Sequence, residues 1–410
     1  MNQIIVSVPE ALSRWHHILQ SISRPVETIP YTEGIHRILA TPLRAKHAYP
    51  PYRKSPFDGY ALGKGFTGTT FTVIATIGAG EVYDKPVGPT EAVRLMTGCA
   101  VPDYCGTVVM QEQVERHGNR ITITSPIEEG ENIIPIGEEC QADTMIAPPG
   151  TVLTSGLLAA AVGLGCHTMT VYKKIKVLLL TSGHELLSAE MALTKGKIYN
   201  SNKVLLKQLL LQEGTATVTH YHVSDEPHKL DYEKKRVSEL SQDADMIIST
   251  GGVSVGLFDT MPDIYAALGA TQVYTRLTMR PGSASYGGYL TRANGQIVPI
   301  LGLSGNPAAA FNAYHLLGRP IFRHLAGHSD ITPVTTTCRM CGDIQKKGNP
   351  VDRYIQGIFS FSHGLPTFTP NQVLTSSALL GLAQTNALAM IPKGAPPCHD
   401  GDTVTVLLLE

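Results

Sequence analysis

The chain has 410 residues, of which 43 % are hydrophobic and 16 % charged. That balance excludes a disordered polymer and, at about 100–200 residues per domain, predicts a protein of several domains. Lys and Arg number 33 against 34 Asp and Glu, a net charge of −1, so the global basic field that nonspecific nucleic-acid binding requires is missing.

Residues 1–44 mix short helical pieces with Pro25, Pro30 and Pro42. The opening MNQIIVSVPEALSRW lacks the charged and then apolar regions of a secretion signal. Residues 45–144 read as a β-rich domain, because alternating runs such as 71–77 and 120–124 are broken by Gly and Pro. Residues 145–172 read as a connector that joins 1–44 in a linker region, with a helix in the apolar run 156–165. That run is the longest apolar stretch, well short of the ~20 residues of a membrane span.

Residues 173–326 have the rhythm of an α/β domain. The continuous apolar run 177–180 predicts a strand buried on both faces. Ser201 and Asn202 are candidate caps for a helix with apolar positions 205, 206, 209 and 210, and Gly214 is its stop. A strand follows over 215–221, then a helix opened by Pro227 that runs toward Ser241. Strands over 245–249 and 297–303 come next, the latter leading into a helix at Pro307. This alternation predicts right-handed βαβ units and a parallel sheet. Residues 327–410 revert to β and end on a strand over 403–409. Cys338 and Cys341 read either as two free thiols in a strand or as half of a zinc site. An odd, scattered set of seven cysteines predicts a reducing cytoplasm.

Ligands of a doubly wound sheet bind beyond the carboxyl ends of its strands. Three glycine-bearing loops fall there: Thr181-Ser182-Gly183-His184-Glu185-Leu186, Thr250-Gly251-Gly252-Val253-Ser254-Val255-Gly256 and Ser304-Gly305-Asn306-Pro307. Gly lets the backbone approach a ligand, and N–H groups opening a helix suit phosphate. GxGxxG spacing and GxxxxGK[ST] are both missing, which removes support for hydride transfer and P-loop chemistry. Glu185, Asp225 and Asp259 lie beside these loops as oxygen donors for Mg2+ held partly by substrate phosphates. Asp225 reads equally as a cap for the helix at Pro227, and Asp259 as another cap. His184 is either a general base or a loop residue bonded locally. Asp58-Gly59 is either a plain turn or part of a site.

Taken as an ordered set, these stretches resemble the molybdopterin molybdenumtransferases, the MoeA family, which includes the E domain of gephyrin, from about residue 8 to 410. SPFDGYAL (55–62) is similar to the family's MDGYA, and RLMTGCAVP (94–102) to RIxTGAxVP. EGENI (129–133) with Gly137-Glu138-Glu139 is similar to xGxNIRxxGED, and IYNSN (198–202) to GxIxNSN. GGVSVG (251–256) with Asp259 matches GGVSVGxxD, GLSGNP (302–307) is similar to GLPGNP, and QTNAL (384–388) and the final GDTVTVLLL resemble the family's C-terminal domain.

The resemblance implies a multidomain α/β plus β fold. A doubly wound, parallel-sheet (MogA-like) molybdopterin-binding domain over 173–326 is flanked by the linker region (1–44 and 145–172), the β-rich domain (45–144) and a C-terminal β-barrel-like domain (327–410). It implies Mg2+-dependent insertion of molybdate into adenylylated molybdopterin with release of AMP. The donor would be a separate molybdopterin adenylyltransferase. The enzyme would be a cytoplasmic homodimer, with the β domain of one subunit facing the α/β domain of the other and no nucleic-acid or membrane partner. By motif position, Asp58, Thr97, Glu139, Glu185, Asp225 and Asp259 are the implied catalytic positions, the last three holding the metal. Ser182, Gly183, Asn200, Ser201, Asn202, Gly251, Gly252, Val253, Ser254, Gly256, Ser304, Gly305, Asn306 and Pro307 are the implied pterin and phosphate contacts. Arg280 is the candidate cation for molybdate.

The chain departs from the family pattern at charged positions. STGDEL becomes TSGHEL with His184, and KPGKP becomes RPGSA, losing a lysine at Ser283. The Arg of FxRG is Gln356, GED ends on Glu139, and Ser304 replaces a proline. Two lost charge-assisted contacts, at about 1.5–3 kcal/mol each, weaken anion binding roughly 10²–10⁴-fold. A second reading is therefore a molybdopterin- or nucleotide-binding carrier or scaffold with weak or no catalysis. A third has tungstate in place of molybdate.

Overall fold

The computed structural model describes residues 3–20, 22–252, 260–344 and 350–409. Helix α1 (Val8–Leu19) starts at Ser7, whose hydroxyl accepts the Glu10 N–H at 3.2 Å and so satisfies one orphan donor of the first turn. Its buried residues Val8, Ala11, Trp15 and Leu19 recur at helical spacing and enter the core of the α/β domain. The rest of the first segment packs elsewhere. Val26–Pro30 pairs antiparallel with Thr168–Tyr172, and Leu43–Arg44 with Met145–Ala147. Helix α2 (Ser155–Gly163) covers them through a small core that includes Leu39, Leu153 and Ala161.

Six strands of the β-rich domain form one sheet in the order Cys105–Met110, Gly59–Gly63, Glu91–Leu95, Thr70–Ile77, Arg120–Ile123, Val114–His117. Gly59–Gly63 is buried throughout. Successive side chains point to opposite faces, so Ala61 enters one apolar cluster while Tyr60 and Leu62 enter the other.

The α/β domain holds β1 (Ile175–Ser182), β2 (Ala216–Val223), β3 (Met246–Thr250), β4 (Thr271–Tyr274), β5 (Tyr286–Thr291) and β6 (Ile297–Leu303), in the sheet order β2-β1-β3-β6-β5-β4. β2, β1, β3 and β6 are mutually parallel, whereas β5 and β4 are added antiparallel. The parallel sheet expected from the sequence is present over β2, β1, β3 and β6, and two antiparallel strands extend it at one edge. Consecutive residues of β1 enter different cores, Val177 and Leu179 on one face, Leu178 and Leu180 on the other, which makes the fold doubly wound. Helices α3 (Ser201–Gln212), α4 (Leu230–Ser241), α5 (Met261–Ala267) and α6 (Pro307–Ala313) follow the strands. α3 differs from expectation at its start. Its cap is Asn200, whose Oδ1 accepts the Lys203 N–H at 3.0 Å, so Ser201 and Asn202 lie inside the first turn.

α6 continues through a π-turn (Tyr314–Gly318) into α7 (Arg319–Ala326). The buried Glu213 carboxylate accepts from Arg323 Nε at 2.8 Å and also pairs with Arg319. His315, on the π-turn, is 4 % exposed, and neither ring nitrogen has a partner among the described residues.

In the C-terminal domain, Thr335–Met340, Asp352–Ser362, Leu365–Pro370, Ala387–Ile391 and Thr403–Leu408 close into a five-stranded barrel, because Asp352–Ser362 pairs with both Leu365–Pro370 and Ala387–Ile391. Cys338 lies on a barrel strand in its core, its thiol directed at Val404 O at 3.8 Å. Cys341 lies just past that strand. Among the described residues, no helix is long and apolar enough to cross a membrane.

Burial, reinforced by the Arg319 and Arg323 charges, pushes the His315 imidazole down to about 3. A histidine with a lowered folded value contributes stability that is present above its unfolded value of about 6.5 and lost as pH falls from there toward 3. The urea midpoint of wild type is expected to drop across that window. His315→Phe is expected to flatten the slope by up to about one proton's worth. An unchanged slope would show that His315 is not buried in the neutral form.

Candidate active site

Parallel strands that share a direction also share an edge where they end, and the loops after β1, β3 and β6 meet there with the first turn of α3. They enclose a cleft of about 520 Å³. Ser182, Glu185, Asn200, Ser201, Asn202, Gly251, Ser304, Gly305, Asn306 and Pro307 line it. Gly183 and Gly252 are the neighbours of lining residues in the chain, whereas Val253, Ser254, Gly256 and Asp259 lie outside the described residues.

The loops are tied by one buried amide. Asn202 Nδ2 donates to Thr250 Oγ1 and to Gly305 O, both at 2.8 Å, and Thr250 Oγ1 donates to Ser304 O at 2.9 Å. Gly251 has φ +84, and a Cβ there would stand 2.2 Å from Ser182 O, so only glycine fits both the conformation and the space. The Ser182 hydroxyl and Asn202 Oδ1 are buried without partners among the described residues. Buried polar atoms of this kind are costly unless something meets them, and both belong to residues of the cleft wall.

Behind the wall, Thr181 Oγ1 accepts from Asn200 Nδ2 at 2.9 Å and contacts His220 Nε2 at 3.0 Å and His222 Nδ1 at 3.3 Å. Burial, with Lys203 second, pushes His220 down to about 4, so the imidazole is neutral at pH 7. At the mouth, the His184 N–H donates to Asp225 Oδ2 at 3.0 Å, and His184 Nδ1 lies 3.3 Å from the same oxygen. Asp225 is thus a partner of the β1 loop; the helical turn at Pro227 has no side-chain cap. His184, Glu185 and Asp225 each offer a ligand atom within 4.8 Å of the other two. One imidazole and two carboxylates form a donor set that fits a divalent cation.

The remaining candidates lie elsewhere. Thr97 donates its N–H and hydroxyl to Asp58 Oδ1 at 2.6 and 2.7 Å, and these bonds hold the Asp58 carboxyl below its usual range. Glu139 is exposed, its N–H donating to Tyr49 O at 3.1 Å. These three belong to the β-rich domain and line no part of the cleft. Arg280 is exposed on the short strand Met279–Arg280, paired with Arg353 across the barrel edge. Gln356 is 5 % exposed and donates to Ala308 O at 2.9 Å and Asn312 Oδ1 at 2.7 Å.

Sequence reasoning placed Thr181, Thr250 and Tyr199 in its motifs without giving them a role, and missed Ser377 and Leu379. The last two reach the cleft from the C-terminal domain, beside the bond from Asn306 Nδ2 to Ser376 Oγ at 3.2 Å. Only the Thr375-Ser376-Ser377 run of small hydroxyl residues signalled that approach.

The chain matches the model of the MoeA N-terminal region (domain I and II) over residues 6–165, that of a probable molybdopterin binding domain over 178–324, and that of the MoeA C-terminal region (domain IV) over 342–409. It is 33 % identical over 412 residues to the molybdopterin molybdenumtransferase of Staphylococcus aureus (strain Mu50), covering 99 % of this chain and 96 % of that one. It is 32 % identical to the Bacillus subtilis (strain 168) enzyme of the same name, covering 99 % and 94 %. The crystal structure of the molybdopterin biosynthesis moeA protein from Pyrococcus horikoshii OT3 superposes with a TM-score of 0.78 over 98 % of this chain and 100 % of that one, at 23 % identity, a likeness of fold.

Replacing Asn202 with leucine removes the donor that meets the buried Thr250 hydroxyl and the Gly305 carbonyl. Asn202→Leu is expected to cost about 1–3 kcal/mol, seen as a lower urea midpoint. A midpoint equal to wild type would show that the amide does not tie the loops.

Proposed function

The chain belongs to the MoeA family of molybdopterin molybdenumtransferases, enzymes of molybdenum cofactor biosynthesis, and on that premise we propose that it inserts molybdate into adenylylated molybdopterin with release of AMP. The family expectation adds Mg2+, a molybdopterin adenylyltransferase as donor and a cytoplasmic homodimer. The observation that carries this reading is one cleft that joins glycine-rich strand-end loops to a cluster of three side chains whose ligand atoms lie within 4.8 Å of one another.

Asn202 Oδ1 and the Ser182 hydroxyl suit the N–H and polar edges of a pterin. The backbone N–H of Gly305 suits its phosphates, while that of Asn306 donates to Ser304 Oγ at 3.2 Å. No lysine or arginine lines the cleft among the described residues, so the phosphate charge falls to these dipoles and to the cation. His184, Glu185 and Asp225 would hold a divalent cation, which would offset that charge and ease departure of AMP. Asp58, Thr97 and Glu139 do not line their own chain's cleft, which supports the reading that they serve the cleft of a second subunit.

The test is AMP release from adenylylated molybdopterin by purified protein with a divalent cation, with and without molybdate. Molybdate-dependent release is expected, and Asp225→Asn is expected to lower it at least about tenfold, about 1.4 kcal/mol on the barrier. Release indifferent to molybdate, or none in either condition, would overturn the reaction. Mixing Asp58→Asn with Asp225→Asn subunits is expected to restore part of the activity. Failure to do so, with mixed dimers present, would overturn the shared site.

A further inference from the structure

His184, Glu185 and Asp225 form a preset cluster. Gly183 has φ +145, and a Cβ on it would stand 2.6 Å from the Glu185 carboxylate, so glycine lets that carboxylate fold back against its own loop. The His184 N–H is bonded to Asp225 Oδ2, and Lys197 Nζ donates to His184 O. The loop is thereby held from both sides. The Asp225 side chain is 12 % exposed whereas that of His184 is 74 % exposed. The imidazole therefore faces solvent while the carboxylate is largely buried. The hydroxyl of Ser182, a residue 4 % exposed in the same cleft wall as Glu185, has no partner among the described residues.

Mg2+ takes oxygen ligands in near-ideal octahedral geometry and keeps several of its waters. An imidazole nitrogen adds little to that ion, but it binds the first-row transition divalents well, with affinity rising from Mn2+ through Co2+. Among the described residues the site offers two carboxylates and one nitrogen. Relative to a third carboxylate at position 184, it has lost one negative charge and one hard donor. Both changes weaken Mg2+ and favour an ion that accepts nitrogen.

We infer that His184 is a metal ligand that makes this centre select a transition divalent cation of the Mn2+, Co2+ or Zn2+ class over Mg2+. The inference deepens the reading of the cleft as a cation-assisted transferase site and rests on it only for the metal's use, since metal binding is measured without substrate.

Metal-free full-length protein is titrated with Co2+, followed by its visible d–d absorption, and with Mg2+ by calorimetry, for wild type, His184→Asp and His184→Ala. His184 is exposed, so both variants are expected to fold, and matched circular dichroism checks this. The expected result is that wild type prefers Co2+ to Mg2+ at least about tenfold more strongly than His184→Asp does. The Co2+ absorption of wild type should also change in His184→Ala. The same preference in wild type and His184→Asp would overturn the assignment. So would Co2+ absorption unaltered by His184→Ala, or no Co2+ binding at all, which would leave only a His184–Asp225 ion pair. If AMP release fails while the Co2+ preference stands, the reaction is wrong and the metal site is not. If Mg2+ alone supports release and Co2+ finds no site, this inference falls by itself.

Discussion

Asn202 is the side chain on which the cleft depends. It sits in the first turn of α3, yet its amide reaches the hydroxyl that ends β3 and the carbonyl that follows β6. Three segments distant in sequence are thereby fixed by one residue that is 7 % exposed. The geometry follows from the sheet: β1, β3 and β6 run parallel, so their ends arrive together, and a helix that starts beside β1 can address β3 and, one strand further, β6. With the cap at Asn200, two residues earlier, Asn202 is turned inward. With Asn202 as the cap, its carbonyl oxygen would face the helix backbone and the loops would lose their tie.

Much of this was legible in the sequence for identifiable reasons. β1 announced itself as a continuous apolar run because both faces of the sheet are covered. The loops announced themselves through glycines that stand at positive φ or against a carbonyl, such as Gly251. β4 and β5 were not legible. Glycine disfavours strands, yet a Cβ at Gly287 would stand 2.3 Å from the Tyr274 ring, so the strand requires the residue that hides it. The partnership of Asp225 with the His184 loop was open on sequence grounds, because an aspartate before a proline-led turn caps helices equally well. Ser377 and Leu379 were illegible because their place in the wall comes from a different domain.

The charge departures acquire a structural meaning. Gln356 carries no positive charge, but it does not leave a hole in an anion site. It is buried between α6 and the barrel and exchanges a guanidinium's charge for two neutral bonds to Ala308 and Asn312. Asn312 in turn donates to Tyr354 O at 2.7 Å, so the polar contact is completed within the barrel edge. Arg280 stands beside Arg353, and that neighbour, after burial, helps lower the Arg353 value. Positive charge is thus concentrated at the barrel edge, while the cleft wall itself is met by dipoles.

The contact between barrel and sheet has a consequence for recognition. Tyr354, Leu388, Leu407 and Leu409 of the C-terminal domain belong to the same apolar cluster as Leu301, Phe311 and Tyr314 of the α/β domain. The two bodies therefore share a core and do not merely touch, and the wall built by Ser377 and Leu379 stands at a set distance from Gly305 and Asn306. A ligand entering such a cleft does not have to draw two domains together, and the ordering entropy of closure has already been met during folding. Discrimination then becomes a matter of shape: a molecule slightly too wide is refused by an unyielding wall, and a smaller one gains no compensating contraction.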